Sequence, residues 1–127
     1  MTRVLVVEDD PAAREGVGIF LERCGYEVRL VADANGAYAS TRGWPPDVAV
    51  CDWQLDGDQD GVDVARRLQH AYGSAIVLFT SHPLARLRRE ASDVIVENFL
   101  RKPVPPNVLL AAVSAATPGA ARRSAPM

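Results

Sequence analysis

The chain is short of cysteine, histidine and net charge, and it lacks any long apolar run. Each shortage removes a class of function. Two cysteines, Cys24 and Cys51, are too few for a disulfide framework and show no metal-ligand spacing. Both are expected as small buried apolar residues. His70 and His82 have no partner that would make them metal ligands and are read as surface residues. A formal net charge of −2 gives no reason to expect nucleic-acid binding. No apolar run approaches the ~20 residues that cross a bilayer, and the N-terminus has no apolar targeting core with a small-residue cleavage site. The expectation is a cytoplasmic protein with no membrane or nucleic-acid partner. No phosphate-loop motif occurs, because Gly16-Val17-Gly18 falls inside a helical pattern rather than at a strand-to-helix turn.

What remains is an ordinary globular composition, 48% hydrophobic and 24% charged over 127 residues, with room for one domain. Short β-branched runs alternate with longer helical patterns. Val4 to Val7 reads as a strand buried on both faces. Asp10 then caps a helix that starts at Pro11 and carries Ala13, Val17, Phe20, Leu21 and Cys24 on one face. Glu27 to Val31 is a second strand, and Asp33 caps a helix with Ala34, Ala37, Tyr38 and Thr41. Val48 to Cys51 is a third strand ending at Asp52, followed by an acidic loop containing Asp56, Asp58 and Asp60, expected to be solvated. Val62, Ala65, Leu68 and Tyr72 make the next helix face. Ala75 to Phe79 is a fourth strand with Thr80 at its end. A short helix from about Pro83, a strand around Asn98 to Arg101 and a helix with Leu109, Ala112, Val113 and Ala116 complete the series. Five such units predict an α/β fold, a doubly wound five-stranded parallel sheet with helices on both faces. The domain is expected over residues 1–117, with 118–127 as a flexible tail that lacks a core pattern.

Ligands in such folds bind at the carboxyl ends of the strands. Those ends carry Glu8 and Asp9, Asp52, Thr80 and Lys102. Three carboxylates brought together repel one another unless a cation is shared or one acid stays protonated. Hard oxygen ligands suit Mg²⁺, for which Mn²⁺ is the expected substitute. A cation and an ammonium group would neutralise phosphoryl oxygens during transfer to a carboxylate, with Lys102 as the ammonium at a solvated position and Thr80 as a hydroxyl donor. Taken singly these residues have plainer readings. Glu8-Asp9-Asp10 fits a solvated turn with a helix cap, Lys102 a surface lysine, Thr80 a strand-end hydroxyl bonded to backbone, and Phe99 a core aromatic.

In order and at strand ends, the pieces resemble the receiver domains of two-component response regulators, from Arg3 to about Ala116. Val6-Val7-Glu8-Asp9-Asp10 is similar to the family's acidic pair, Pro46-Asp47-Val48 leading to Asp52 to the approach to its phosphoacceptor, and Phe99-Leu100-Arg101-Lys102-Pro103 to its closing Lys-Pro motif. The resemblance implies a flavodoxin-like fold with Asp52 as acceptor. It implies Asp9, Asp52 and the backbone carbonyl of Gln54 as Mg²⁺ ligands, with Glu8 holding a metal-bound water. Lys102 would pair with the phosphoryl group, Thr80 would move toward it, Ser81 would leave it accessible, Phe99 would be a coupled aromatic switch, and the Lys102-Pro103 bond would be cis. The loop from Asp52 to Asp60-Gly61 is one residue longer than in common members. Asp56 stands where proline often follows Leu55, and Ile95-Val96 where a Gly-Ala pair is usual.

The implied function is a phosphorelay receiver, a signalling protein that catalyses only its own phosphorylation and dephosphorylation. Its implied partners are a histidine kinase or phosphotransfer protein and a downstream protein reached by contact. A pseudo-receiver interaction module and an aspartyl-nucleophile phosphatase are the alternatives. Phosphatases of that kind typically carry a second Asp two residues after the nucleophile, where Gln54 stands here. The apolar run Val94 to Val96, ringed by Arg86, Arg88, Arg89 and Arg101 with Glu90, Asp93 and Glu97, also suits a homodimer through the fourth helix, last strand and last helix.

Overall fold

A computed structural model describes residues 1–118. The proposed tail therefore lies outside the described residues except for Pro118. The elements run β1 (Arg3–Val7), α1 (Pro11–Arg23), β2 (Glu27–Val31), α2 (Ala34–Ser40), β3 (Val48–Asp52), α3 (Gly61–Tyr72), β4 (Ala75–Thr80), α4 (Leu84–Glu90), β5 (Val96–Arg101) and α5 (Pro106–Ala116). The strands form one sheet in the order β2-β1-β3-β4-β5, with every pair parallel. The doubly wound parallel sheet is thus as expected. The order reverses between β1 and β3, which puts a crevice at their carboxyl ends.

The strand sequences explain the layering. All of β3 is buried, as are Val4 to Val7 of β1, because continuous apolar runs suit strands covered on both faces. Successive side chains alternate between two cores. One packs Leu5, Val7, Ala49 and Cys51 under α2, α3 and α4, and the other packs Val4, Val6, Val48 and Val50 under α1 and α5. β2, at the sheet edge, is mostly exposed.

Helix starts follow the sequence signals. The Asp10 carboxylate accepts from Ala13 N at 2.8 Å with Pro11 in the first turn, and Asp33 accepts from Gly36 N at 2.8 Å. Four expectations require correction. Cys24 is exposed, because it caps the end of α1, whose buried line runs through Gly18 and Leu21. Tyr72 is 39% exposed, since it sits in the last turn of α3 beyond Leu68. β5 begins at Val96 rather than near Asn98, while Val94 is buried and Ile95 is 75% exposed. Asp60 is no solvated loop acid but the N-cap of α3, with a capping box to Asp63.

Candidate functional site

Glu8 and Asp9 leave β1 at the sheet's carboxyl edge, and their loop is braced by Arg14, one turn into α1. The Arg14 guanidinium donates to Glu8 O at 3.0 Å and to Asp9 O at 3.4 Å. Glu8 is 1% exposed and Asp52 4%. Lys102, carried by the turn after β5, donates from Nζ to Glu8 Oε1 and to Asp52 Oδ2, both at 2.8 Å. Its side chain is 30% exposed, less solvated than expected, because it reaches inward between two buried acids. Its nitrogen also lies 4.9 Å from the Phe79 ring centroid. The Lys102-Pro103 peptide is cis, and Lys102 N donates to Thr80 O at 2.8 Å, joining the ends of β4 and β5.

One ligand oxygen each from Glu8, Asp9 and Asp52 lies within 4.8 Å of the others. The electrostatics reflect that crowding. Burial holds the Glu8 carboxyl above its ordinary value, the hydrogen bond and charge of Asp52 add to this, and Lys102 only partly offsets them. Asp9 is raised by its own burial and then by Glu8. Burial works against the Lys102 charge, but the hydrogen bonds and charges of Asp52 and Glu8 outweigh it and hold the ammonium above its ordinary value.

The remaining candidates divide. Thr80 is fully buried, and its Oγ1 accepts from His82 N at 3.1 Å. Ser81 and Gln54 are exposed, and Gln54 N donates to Asp52 Oδ1 at 3.3 Å. Phe99 stands apart from the acid cluster, half-buried against the core under α4, with the Arg88 guanidinium 4.8 Å from its ring centroid. His82 is exposed yet meets the Trp53 ring edge-on. Cys51 is no nucleophile. Burial, with the adjacent Asp52 charge, pushes its thiol up to about 12.

Sequence reasoning missed Arg14, Asp60 and Trp53. The ring nitrogen of Trp53 donates to Asp60 Oδ2 at 3.2 Å, and the Asp60-x-x-Asp63 spacing before an apolar helix was the available signal. Nothing in the sequence marks Arg14, whose contacts depend on how α1 packs.

These features define an α/β protein with an acidic cluster and a lysine at one sheet edge. The response regulator receiver domain family matches residues 4–114, and the chain belongs to it. The DNA-binding response regulator MtrA of Mycolicibacterium smegmatis is 31% identical over 119 residues, covering 89% of this chain and 49% of that protein. The phosphate regulon transcriptional regulatory protein PhoB of Pseudomonas aeruginosa is 28% identical over 115 residues, covering 88% of this chain and 50% of its own. The chain spans about half the length of these curated relatives. Among solved structures, the signal receiver domain of a modulated diguanylate cyclase from Desulfovibrio desulfuricans G20 superposes with a TM-score of 0.85 at 30% identity, covering 98% of this chain and 99% of that one. The Vibrio cholerae chemotaxis protein CheY4 gives 0.84 at 26%, covering 91% and 98%. The chain is therefore a receiver domain of the two-component type, and no described helix is long and apolar enough to cross a membrane.

Proposed function

We propose that Asp52 is the phosphoacceptor of this receiver, charged by a histidine kinase or phosphotransfer protein in the cytoplasm. The observation that carries the reading is Lys102 Nζ, held 2.8 Å from both Glu8 and Asp52 at the mouth of an acid cluster. In the transfer, an Asp52 carboxylate oxygen forms a bond to phosphorus as the donor's phosphorus–nitrogen bond breaks, and the imidazole leaves. Lys102 neutralises phosphoryl oxygens, the Thr80 hydroxyl donates a hydrogen bond to one of them, and the small Ser81 leaves the group room.

The donor set fits a divalent cation. It is all oxygen, three acids face one ammonium, and Glu8 Oε2 is buried without a hydrogen-bond partner among the described residues. Asp9, Asp52 and the Gln54 carbonyl would hold Mg²⁺, or Mn²⁺ in its place, with Glu8 acting through a water. Bound there, the cation would offset the phosphoryl charge. Phe99, packed beside α4, is the aromatic that responds to Thr80. This domain passes its signal on by protein contact, and the α4, β5 and α5 face with exposed Ile95 suits a downstream partner or a second copy.

Intact-mass measurement with acetyl phosphate tests the acceptor. Labelling is expected with Mg²⁺ and not with chelator, and Asp52→Asn is expected to take none. Equal labelling of Asp52→Asn, or no labelling of the native chain with Mg²⁺, sinks the assignment. Light scattering behind a sizing column, with and without beryllofluoride, tests the second copy: a monomer at high concentration in both states removes the homodimer.

A further inference from the structure

Trp53 directly follows the proposed acceptor, and its indole is held from three sides. The ring nitrogen donates to Asp60 Oδ2 at 3.2 Å, and the residue is 4% exposed. The His82 imidazole meets the ring edge-on, with centroids 6.0 Å apart and planes at 80°. The Arg86 guanidinium lies 5.5 Å from the ring centroid. Asp60 caps α3, His82 lies in the turn after β4, and Arg86 belongs to α4. One side chain therefore joins three elements around the site.

His82 has a second attachment. Its backbone N–H donates to Thr80 Oγ1 at 3.1 Å, so the hydroxyl proposed to meet a phosphoryl group now seats the residue that touches Trp53. The staggered wells of a threonine side chain are about 120° apart. Turning Oγ1 from His82 N–H toward a group on Asp52 exchanges one bond for the other.

We infer that Trp53 is a positioning residue that carries the state of the Thr80 hydroxyl to α4, through His82 and Arg86. The inference rests on the proposed roles of Asp52 and Thr80. Before phosphorylation, Thr80 seats His82 against the indole and Arg86 clasps the same ring. When the hydroxyl turns, His82 loses its seat and its edge contact, and the N-terminal turn of α4 is freed to move. Edge-to-face and cation–π contacts at a surface are weak enough to be exchanged for one charge-assisted hydrogen bond to a phosphoryl oxygen.

The test uses the full chain with Mg²⁺ and beryllofluoride. Fluorine spectra report occupancy of the site, and amide spectra report α4 and the Trp53 indole N–H. In the native chain, bound beryllofluoride is expected to shift the indole N–H and the amides from Leu84 to Glu90. In the doubly substituted His82→Ala/Arg86→Ala chain, whose altered side chains are exposed, the bound fluorine signal is expected to persist while the shifts in the N-terminal turn of α4 fall well below those of the native chain, the remainder passing through Phe99. His82→Phe, which keeps an aromatic edge, is expected to respond as the native chain does. Native-sized α4 shifts in the double variant with beryllofluoride bound overturn the inference. Absence of a bound fluorine signal in the native chain overturns the acceptor reading itself, and this inference with it.

Discussion

Replacing Lys102 with methionine removes one ammonium and keeps most of the aliphatic stem. Two hydrogen bonds of 2.8 Å are lost, to Glu8 Oε1 and Asp52 Oδ2, and three clustered acids are left without their cation. Removing one member of a buried ion pair costs about 3–5 kcal/mol. The Lys102 side chain is 30% exposed, so water screens part of the interaction and the lower end applies. Glu8, whose carboxyl already sits above its ordinary value through burial and Asp52, can also take up a proton and relieve more. The expected loss is therefore about 2–3 kcal/mol near neutral pH in chelator, at the low end for charge-assisted hydrogen bonds left without a partner. Urea unfolding measures it. With saturating Mg²⁺ the loss is expected to shrink, because a divalent cation supplies counter-charge that Lys102 no longer gives. Adding Glu8→Gln to the variant is expected to restore much of the stability in chelator. A loss of the same size in chelator and in Mg²⁺, or none in either, refutes the view that Lys102 balances the acid cluster.

Other perturbations separate the parts of the structure. Glu8 and Asp9 are held above their ordinary 4.5 and 3.8 by burial first, and then by Asp52 and Glu8 respectively; acids raised in the folded state bind protons more tightly there. Their contribution to stability therefore falls as pH rises from those ordinary values through the raised ones, and the difference in urea midpoint between native and Glu8→Gln chains should show this decline in chelator. A difference independent of pH contradicts it. Gly61→Ala would place a Cβ 1.9 Å from Asp52 O, so a loss of at least about 3 kcal/mol is expected by chemical denaturation, whereas Gly16→Ala, which meets nothing within 4 Å, is expected to stabilise α1 by about 1 kcal/mol. At Gly18 a Cβ would first meet the Leu30 side chain, at 2.7 Å, and that half-exposed side chain can turn away, so the thermal midpoint is expected to change little. Asp60→Ala removes the cap bonds to Val62 N and Asp63 N and the acceptor for the Trp53 ring nitrogen; a loss of about 2–3 kcal/mol follows from a missing cap and an orphaned donor, and a loss under about 0.5 kcal/mol, the scale of an ordinary surface change, contradicts that account.

The strands and caps were legible because their signals are local. Val48 to Asp52 is a continuous apolar run ending in an acid, and Asp10-Pro11 combines an N-cap with a first-turn proline. Once five strands were placed, the meeting of Glu8, Asp9, Asp52 and Lys102 at one edge followed from parallel topology. Local signals failed where a helix ended or an element packed against another. Cys24 shares the helical spacing of Leu21, but the helix stops before its side chain can turn inward. Arg14 and Trp53 act through contacts with Glu8 and Asp60, and no spacing rule specifies how far α1 leans or which acid faces an indole. The turn from Ser92 to Ile95 carries β-branched residues that read equally well as strand. Arg66 and Gln69 of α3 hold it from outside, through Asp93 and the Ile95 backbone.

The loop after Asp52, expected from the resemblance to be one residue longer than in common receivers, bears on whether the proposed acceptor keeps its place. Both ends of that loop are fixed by backbone. Trp53 N donates to Phe79 O at 2.9 Å on the β4 side, and Gly61 N donates to Trp53 O at 2.8 Å on the α3 side. Leu55 packs against the core, and Asp60 closes the far end through its capping box. Between these anchors, residues 56–59 are exposed, and Gly57 takes a φ of +101°, a conformation in which glycine is not strained. An additional residue at that solvent-facing bend would therefore cost little chain entropy. Asp52 stays in register with Phe79, and its carboxylate remains within reach of Lys102.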